Sequence, residues 1–212
     1  MDDGKGTTQK MTLRIIAGKH RRRRLTGPKD QHIRPTLERV REAAFNVLAH
    51  GVPGSEGPPL PEGARVLDVF AGSGAMGFEA LSRGAAFVTF LEGDAQALAL
   101  LRENAAVLGE TAHVAILRSD ATKPALARPG RARDAVGVAF LDPPYGMGLG
   151  APALIALRDA GWFLEGAVVL IEMAAKEAFA PPPGFRLFDE RRYGTTRLVF
   201  LRYETAGHET AA

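Results

Sequence analysis

The stretch from Val66 to Gly77, with the sequence VLDVFAGSGAMG, constrains the fold of this chain more than any other. Its apolar start predicts a strand that ends near Phe70, and the three glycines that follow predict a tight turn into a helix. Glycine permits positive φ angles and lets a ligand approach the main chain, while the first turn of a helix presents unpaired N–H groups. The pattern therefore predicts a nucleotide-like ligand at this junction.

The spacing of Gly72, Gly74 and Gly77, with Glu92 twenty residues after the first glycine, also satisfies the dinucleotide fingerprint. A nicotinamide-dependent oxidoreductase is therefore one alternative. Asp68 favours another, because a carboxylate beside the loop opposes a bound pyrophosphate but suits a ligand with an ammonium and a sulfonium group. S-adenosylmethionine is such a cofactor.

Composition sets broad limits on the class of protein. The chain has 212 residues, of which 46% are hydrophobic and 24% charged, as expected for one main globular domain with a small appendage. We find no apolar run of membrane-spanning length and no secretory leader, and we expect a cytoplasmic protein without membrane contact. The absence of cysteine and of histidines at ligand spacing predicts that no metal is bound.

Charge is concentrated at the start of the chain. Residues 1–50 contain twelve Lys or Arg against five Asp or Glu, whereas the remainder is net acidic. Such a segment is a candidate for phosphate contact, either in an enzyme or in a non-catalytic RNA-binding module. The candidate RNA-binding residues in this segment are Arg14, Lys19, Arg21, Arg22, Arg23, Arg24, Arg34 and Arg39.

The same segment has its own pattern of elements. The run from Leu13 to Leu25 predicts a short hairpin with a basic return strand. Arg34, Pro35 and Thr36 predict the start of a helix that Thr36 caps. The core-facing stripe of this helix is predicted to be Leu37, Val40, Ala43, Ala44, Val47 and Leu48, with Arg39, Arg41 and Glu42 outside it.

The chain divides into five predicted segments. Residues 1–10 are a disordered tail, 11–50 the basic arm, 51–64 a Gly/Pro linker, 65–204 the main domain and 205–212 a second tail. The main domain alternates strands with helices near Ala75–Ser82, Ala95–Leu108 and Pro152–Ala160, which predicts a parallel sheet covered on both faces. The predicted strands are Val66–Phe70, Phe87–Leu91, His113–Leu117, Val136–Leu141 and Val168–Met173, followed by a hairpin of Phe185–Asp189 and Leu198–Tyr203.

This order of elements predicts the fold class. Five parallel strands and a final antiparallel hairpin are the arrangement of Rossmann-like class I methyltransferases, with an α/β sheet of seven mostly parallel strands. Ligands in such sheets lie at the carboxyl ends of the strands. Arg191, Arg192, Tyr193 and Arg197, around the final turn, are expected at that edge and are further candidates for RNA contact.

Two acidic residues follow predicted strands. Glu92 is placed to accept the hydroxyls of a ribose, and Asp120 could accept from an adenine amino group. Each has a structural alternative, because Glu92 could be a solvated loop residue and Asp120 could cap the next short helix. Asp94 is expected to cap the helix that starts at Ala95.

Asp-Pro-Pro-Tyr, residues 142–145, closes the fourth strand. The prolines make a rigid extended turn in which the Asp142 carboxylate and the Pro143 carbonyl can face the same way. Two acceptors can hold both N–H groups of an exocyclic base amine and favour attack by its lone pair on a methyl group. Tyr145 supplies a flat face on which an extruded base can stack.

These motifs together resemble those of a known family. RIIAGKHRRRRL, RPTLERVREAAFNVL, VLDVFAGSGAMGFEALSRGA and the Asp-Pro-Pro-Tyr sequence are similar to those of the RsmD family of 16S rRNA guanine-N2 methyltransferases, over about Leu13 to Tyr203. The sequence departs from the family pattern at Ala17, at His20 where an aromatic residue is customary, and at Arg22 where a glycine is customary.

The resemblance implies an enzyme that transfers a methyl group from S-adenosylmethionine to a guanine N2 of 16S rRNA, within the small ribosomal subunit or an assembly intermediate. We expect it to act as a monomer. The implied catalytic residues are Asp142, Pro143, Pro144 and Tyr145. The implied cofactor-binding residues are Asp68, Phe70, Ala71, Gly72, Ser73, Gly74, Glu92, Asp120 and Ala121, with Pro35 and Thr36 covering the cofactor from the arm. A DNA amino-methyltransferase, acting on adenine N6 or cytosine N4, remains an alternative on motif chemistry.

Overall fold

The computed structural model of the chain describes residues 13–27, 35–54, 58–123 and 134–205. Seven strands and four α-helices lie within these residues, together with one short 3-10 turn after the third helix. In chain order the elements are α1 (Pro35–His50), β1 (Arg65–Val69), α2 (Ala75–Ser82), β2 (Phe87–Glu92), α3 (Ala95–Leu108), β3 (Val114–Arg118), β4 (Val136–Leu141), α4 (Gly150–Asp159), β5 (Phe163–Ala174), β6 (Phe185–Tyr193) and β7 (Thr196–Tyr203).

All seven strands form one sheet in the order β3-β2-β1-β4-β5-β7-β6. The pairs from β3 through β5 are parallel, whereas β7 is antiparallel to both β5 and β6. The order reverses between β1 and β4, so the carboxyl ends of these strands border the crevice where doubly wound sheets bind ligands. The predicted fold class is confirmed.

Side chains alternate between the two faces of the sheet, and each face has its own core. Val66, Val138 and Val168 pack with α1, α2 and α3 on one face. Leu67 and Val169 pack with α4 on the other. Because alternate strand residues share a face, Asp68 lies on the side of α1 and α2.

Element boundaries follow the predictions closely in the first half of the main domain. The structure has α2, α3 and β4 over the predicted residues. The largest difference is β5, which begins at Phe163 instead of Val168. Glu165 and Gly166 interrupt the apolar pattern there, so the pattern did not indicate a strand before Val168. In the structure Gly166 has a φ angle of 75°.

The basic arm begins with a hairpin, residues 13–27, in which Arg14 and Arg24 form an antiparallel bridge and backbone hydrogen bonds join Ile15 to Arg23 and Leu25 to Leu13. Its apolar residues Leu13, Ile15 and Leu25 are buried in the same core as the sheet. The predicted linker therefore separates the arm from the main domain in sequence, but the two share one core. Residues 1–10 and 206–212 of the predicted tails lie outside the described residues, as does Arg34.

Two side chains of α2 fasten the arm. The buried Glu79 carboxylate accepts hydrogen bonds from the backbone N–H groups of Ile16 and Ala17, at 2.7 and 3.0 Å. Ser82 Oγ donates to the Ala17 carbonyl, and the Ser82 carbonyl accepts from Lys19 N. At Gly18, with φ at 80°, an added Cβ would lie 1.7 Å from the Ser82 carbonyl oxygen. Only glycine fits at this contact.

The prediction that Arg41 lies outside the core stripe of α1 is wrong. Arg41 is 4% exposed; its Nη2 donates to the Arg14 carbonyl, and its Nε lies 3.7 Å from a Glu79 oxygen. Arg83 lies 2.8 Å from the other Glu79 oxygen, so the buried carboxylate has two nearby cations, one of which α1 supplies. Phe45, which the predicted stripe omitted, is fully buried against Phe140.

Within the described residues, no helix combines the length and the apolar character needed to cross a membrane.

Candidate active site

The three glycines in the turn after β1 have different structural roles. A Cβ at Gly74 would meet Leu101 and Phe78, and one at Gly77 would meet Phe90, so close packing requires both. Gly72 has a φ angle of 54° and open space around its missing side chain. Phe70 also has a positive φ angle, of 59°, which is strained for a bulky residue. The turn is thus tightly packed on the helix side and open at Gly72.

Asp68 lies beneath this turn. Its side chain is buried, and Oδ2 accepts a hydrogen bond from Gly77 N at 2.8 Å. Burial raises the pKa of Asp68 to about 8, and the charge of Glu92 adds to the effect, while the Gly77 hydrogen bond opposes it. A buried carboxylate of this kind is expected to attract a cationic ligand.

Glu92, at the end of β2, binds three backbone N–H groups. Oε2 accepts from Gly72 at 2.8 Å, and Oε1 accepts from Gly93 and Asp94 at 2.7 and 2.8 Å. The carboxylate therefore joins the glycine turn to the end of β2, and it is partly exposed. Asp94 caps α3 through Gln96 N and Ala97 N, as predicted.

Asp120 lies after β3 and is partly exposed. Its Oδ1 accepts from the Thr122 backbone and hydroxyl, at 3.0 and 2.7 Å, and Lys123 lies 3.1 Å from Oδ2. The Thr122 hydroxyl, the Thr122 N–H and Lys123 lower the pKa of this carboxyl. Asp120 thus accepts hydrogen bonds within the turn that follows it, and its expected contact with adenine stays a prediction. Ala121 beside it is buried.

Asp142 begins the Asp-Pro-Pro-Tyr segment and lies beside the glycine turn. Its backbone N–H donates to the carbonyl of Val69, the residue that precedes Phe70, at 3.2 Å. Partial desolvation in the cleft, then the charges of Glu172 and Asp68, raise the pKa of Asp142 well above its ordinary value, although the residue still opens to solvent. Pro143 is buried and Pro144 is exposed.

Tyr145 is 47% exposed, but its hydroxyl is held. The hydroxyl donates to Glu172 Oε1 at 2.6 Å and lies 3.2 Å from Thr196 Oγ1. Desolvation and the hydrogen bond to Glu172 raise the pKa of the phenol. The ring is therefore fixed at the mouth of the cleft with one side open.

Glu172, near the end of β5, was missed by the sequence analysis. The signal was available, since a single acidic residue interrupts the apolar run VVLIEM at the carboxyl end of a strand. A small cavity between α1 and the sheet is lined by both Glu172 and Asp142, with Val40, Ala44 and Met76 on its helical side. Desolvation raises the pKa of Glu172, and the Tyr145 hydrogen bond opposes the shift.

The basic residues of the arm are distributed along one side of the molecule. Arg14 forms an ion pair with Glu38, Lys19 pairs with the buried Glu110, and Arg23 donates to the carbonyls that end α3. The remaining candidates are exposed, and their guanidinium groups have no acceptor within hydrogen-bond distance among the residues that the structure describes. These are Arg21, Arg22, Arg24 and Arg39.

The arm does not bring all of its cations to the edge of the sheet where Asp142 lies. Lys19, beside the end of α2, and Arg23, beside the end of α3, lie toward the opposite edge of the sheet. Arg39 lies in the first half of α1, near the cleft. Arg14, in the hairpin, lies beside the same part of α1 through its ion pair with Glu38. Arg22 has a φ angle of 68°, a conformation that suits the glycine customary there. The helix α1 begins at Pro35, one residue before Thr36, the predicted cap. Thr36 therefore lies within the first turn of the helix.

At the final hairpin, the turn after Tyr193 reaches the edge of the sheet where the Asp-Pro-Pro-Tyr segment lies, because Thr196 lies beside Tyr145. Arg191 and Arg192 are exposed and pair with Asp189 and Glu190. Arg197 is 9% exposed, and its Nη2 donates to the Glu177 carbonyl at 2.5 Å, so it is held inside the protein and not offered to a ligand. Tyr193 is half-buried against the core.

A doubly wound sheet of this order, with a glycine turn after β1 and Asp-Pro-Pro-Tyr after β4, defines a class I methyltransferase. Comparison with known proteins agrees. The family model described as Conserved hypothetical protein 95 matches residues 13–202. The chain belongs to this family, the RsmD family, as the sequence resemblance predicted.

Individual relatives cover nearly the whole chain. The ribosomal RNA small subunit methyltransferase D of Escherichia coli strain K12 is 34% identical over 200 residues, which are 94% of each chain. The protein of the same name from Haemophilus influenzae is 34% identical over 190 residues, covering 90% of this chain and 92% of that one. The solved structure of yhhF from Escherichia coli superposes with a TM-score of 0.76 at 34% identity, covering 92% and 99% of the two chains.

Proposed function

We propose that this methyltransferase transfers a methyl group from S-adenosylmethionine to the exocyclic N2 amine of a guanine in 16S rRNA. The observation that supports it most is the position of Asp142, whose backbone N–H donates to the Val69 carbonyl at the entrance of the glycine turn. Donor and acceptor sites on adjacent strands are what a direct transfer needs.

The residues present fit S-adenosylmethionine. Asp68 would face the cationic methionine part, and the open backbone at Gly72 leaves room for close approach. Glu92 retains acceptor capacity for ribose hydroxyls beside its three N–H partners. Asp120 and Ala121 would border the adenine, and Pro35 and Thr36 would cover the site from α1. When bound, the cofactor supplies a methyl group on a positively charged sulfur.

The acceptor chemistry belongs to Asp142 and Pro143. The carboxylate of the one and the carbonyl of the other are expected to accept both N–H groups of the base amine, which orients the nitrogen lone pair away from the ring plane. Asp142 would take the proton that the amine nitrogen loses when the nitrogen gains the methyl group, the sulfur–methyl bond breaks and neutral S-adenosylhomocysteine is left as the product. The raised pKa of this carboxyl favours that role.

Tyr145 is expected to stack on the extruded base. Its hydroxyl is fixed by Glu172 and Thr196, so the ring is held in one orientation with an open side. Stacking of this kind is worth about 1–3 kcal/mol per base and offsets part of the cost of unstacking the nucleotide.

The proposed substrate is 16S rRNA within the small ribosomal subunit or an assembly intermediate. The relatives in Escherichia coli and Haemophilus influenzae are named as ribosomal RNA small subunit methyltransferases, and the exposed arginines of the arm suit a phosphate backbone. Because the arm extends from Arg39 near the cleft to Lys19 and Arg23 toward the opposite edge of the sheet, the RNA surface that it contacts would be larger than the target nucleotide.

A labelled-donor assay tests the proposal. The protein is incubated with methyl-labelled S-adenosylmethionine and either small ribosomal subunits from a strain that lacks the enzyme or naked duplex DNA. We expect label in the 16S rRNA, recovered as N2-methylguanosine. Label in DNA alone would favour a DNA amino-methyltransferase and overturn the proposal.

A further inference from the structure

Glu172 lies next to Asp142 in the sheet. Leu141 pairs with Ile171 in the parallel register of β4 and β5, so Asp142 and Glu172 are the next residues along the two strands. The alternation along each strand directs both side chains to the face of α1 and α2. They line one cavity, and the charge of Glu172 acts on Asp142. Two carboxylates therefore face the space where the target amine is expected.

One oxygen of Glu172 is fixed and the other is available. Oε1 accepts the Tyr145 hydroxyl at 2.6 Å, and that hydroxyl also lies 3.2 Å from the buried Thr196. Among the residues that the structure describes, no donor lies within hydrogen-bond distance of Oε2. The carboxylate is thus oriented by Tyr145 and retains an acceptor oxygen.

The three bases with an exocyclic amine differ in the ring atoms beside that amine. Guanine has an N1–H donor on one side of its 2-amino group and the bare N3 on the other. Adenine and cytosine have a bare ring nitrogen, N1 or N3, on one side and a carbon on the other, so only guanine has a ring N–H beside the amine. An additional carboxylate oxygen beside the amine site therefore attracts guanine and repels the other two bases. A buried site built to accept an N–H discriminates strongly against an analogue that lacks it.

We propose that Glu172 selects guanine by accepting the N1–H of the target base through Oε2, while Asp142 and Pro143 hold the 2-amino group. This inference rests on the proposed function and adds the residue that separates a guanine-N2 enzyme from the adenine-N6 and cytosine-N4 enzymes that share Asp-Pro-Pro-Tyr. It also gives the contact between Glu172 and Tyr145 a second purpose, because the same hydrogen bond that fixes the ring also fixes the carboxylate.

The test uses 2-aminopurine, which has the 2-amino group of guanine but an unprotonated N1. The methylated guanine is first located by mass spectrometry. A 16S rRNA with guanine or 2-aminopurine at that position is then assembled by ligation and reconstituted into small-subunit particles. Values of kcat/KM are measured on both particles for the wild type and for Glu172→Gln, whose amide oxygen can still accept from Tyr145 while its NH₂ faces the base.

We expect Glu172→Gln to lower kcat/KM on guanine by about 10- to 100-fold, because a charged acceptor is lost and a donor faces N1–H. The amide NH₂ can donate to the bare N1 of 2-aminopurine, so activity on that particle should be unchanged or higher. The preference for guanine over 2-aminopurine should therefore fall by at least about tenfold. An equal loss on both particles would overturn the proposal and leave Glu172 a structural residue.

Two controls separate this inference from other failures. Glu177 lies at the same edge of the sheet, where its carboxylate accepts a hydrogen bond from Gly146 N, but it does not line the cavity. Glu177→Gln should therefore leave the preference for guanine over 2-aminopurine unchanged. Calorimetry with S-adenosylhomocysteine should give the same affinity for wild type and Glu172→Gln, which shows that the variant is folded. If the wild type transfers no methyl group to guanine, the proposed function fails; if it does and Glu172→Gln retains the full preference, only the selection fails.

Discussion

Asp68→Asn should stabilise the cofactor-free protein. Burial raises the pKa of Asp68 from 3.8 to about 8, so at pH 7 the carboxyl is mainly protonated in the folded state and ionised in the unfolded state. This difference costs the folded state about 4 kcal/mol at pH 7. Asparagine is neutral in both states, and its amide oxygen can still accept from Gly77 N, so the variant avoids this cost.

The pH dependence gives the sign of the effect. When folding raises the pKa of a carboxyl, the free energy of unfolding falls as the pH rises from the unfolded-state pKa to the folded-state pKa. The stability of the wild type relative to Asp68→Asn should therefore fall by about 1.4 kcal/mol per pH unit between pH 4 and pH 8, and remain level above. Urea unfolding at several pH values measures the difference.

The same substitution should weaken cofactor binding. Calorimetry with S-adenosylhomocysteine, which has the ammonium group, should give at least about tenfold lower affinity, because a charge-assisted contact is lost. Asp94→Asn, at an exposed helix cap where asparagine serves equally well, is the matched control and should change neither stability nor affinity. A variant that is less stable than the wild type at pH 7, or a difference that does not vary with pH, would refute the reasoning.

Three further changes test the arm. Gly18→Ala should destabilise the fold by about 3 kcal/mol in urea unfolding, since its Cβ would overlap the Ser82 carbonyl; an unchanged midpoint would contradict the docking. Glu79→Gln should cost about 3 kcal/mol by the same measurement, because the buried cations lose their partner, and a neutral result would argue against it. Alanine at Arg21–Arg24 should weaken RNA binding. The slope of log K against log salt concentration should become shallower by roughly 0.7 per lost phosphate contact, while the affinity for S-adenosylhomocysteine remains unchanged. Equal slopes for the variant and the wild type would exclude phosphate contact there.

Local signals were sufficient where an element is determined by its own residues. The boundaries of α2 and α3 follow from a glycine turn, from the Asp94 cap and from Gly109 after the last residue of α3. The strand ends that bear Asp68, Glu92 and Asp142 were predictable for the same reason, since apolar runs end there. Parallel strands then bring these ends to one edge whatever the details of packing.

The residues whose positions were not predicted have partners that are distant in sequence. Arg41 belongs to the polar side of its helix by periodicity, and only the buried Glu79, 38 residues later, explains its burial. Glu172 can be placed beside Asp142 only once β4 and β5 are known to be neighbouring strands. Arg197 resembles a surface cation in sequence, but the Glu177 carbonyl and Met173 hold it inside. Side-chain position in these cases depends on the order of strands, which no local pattern specifies.

The central claim is that Asp142 holds a guanine amine for methylation. Its most direct test is mass spectrometry of nucleosides from 16S rRNA of a deletion strain, complemented with the wild-type protein or with Asp142→Ala. N2-methylguanosine should decrease by one residue per 16S rRNA in the deletion strain, return with the wild type and remain absent with Asp142→Ala, which still binds S-adenosylhomocysteine within several-fold of the wild type. Full restoration by Asp142→Ala, or an unchanged N2-methylguanosine content in the deletion strain, would contradict the claim.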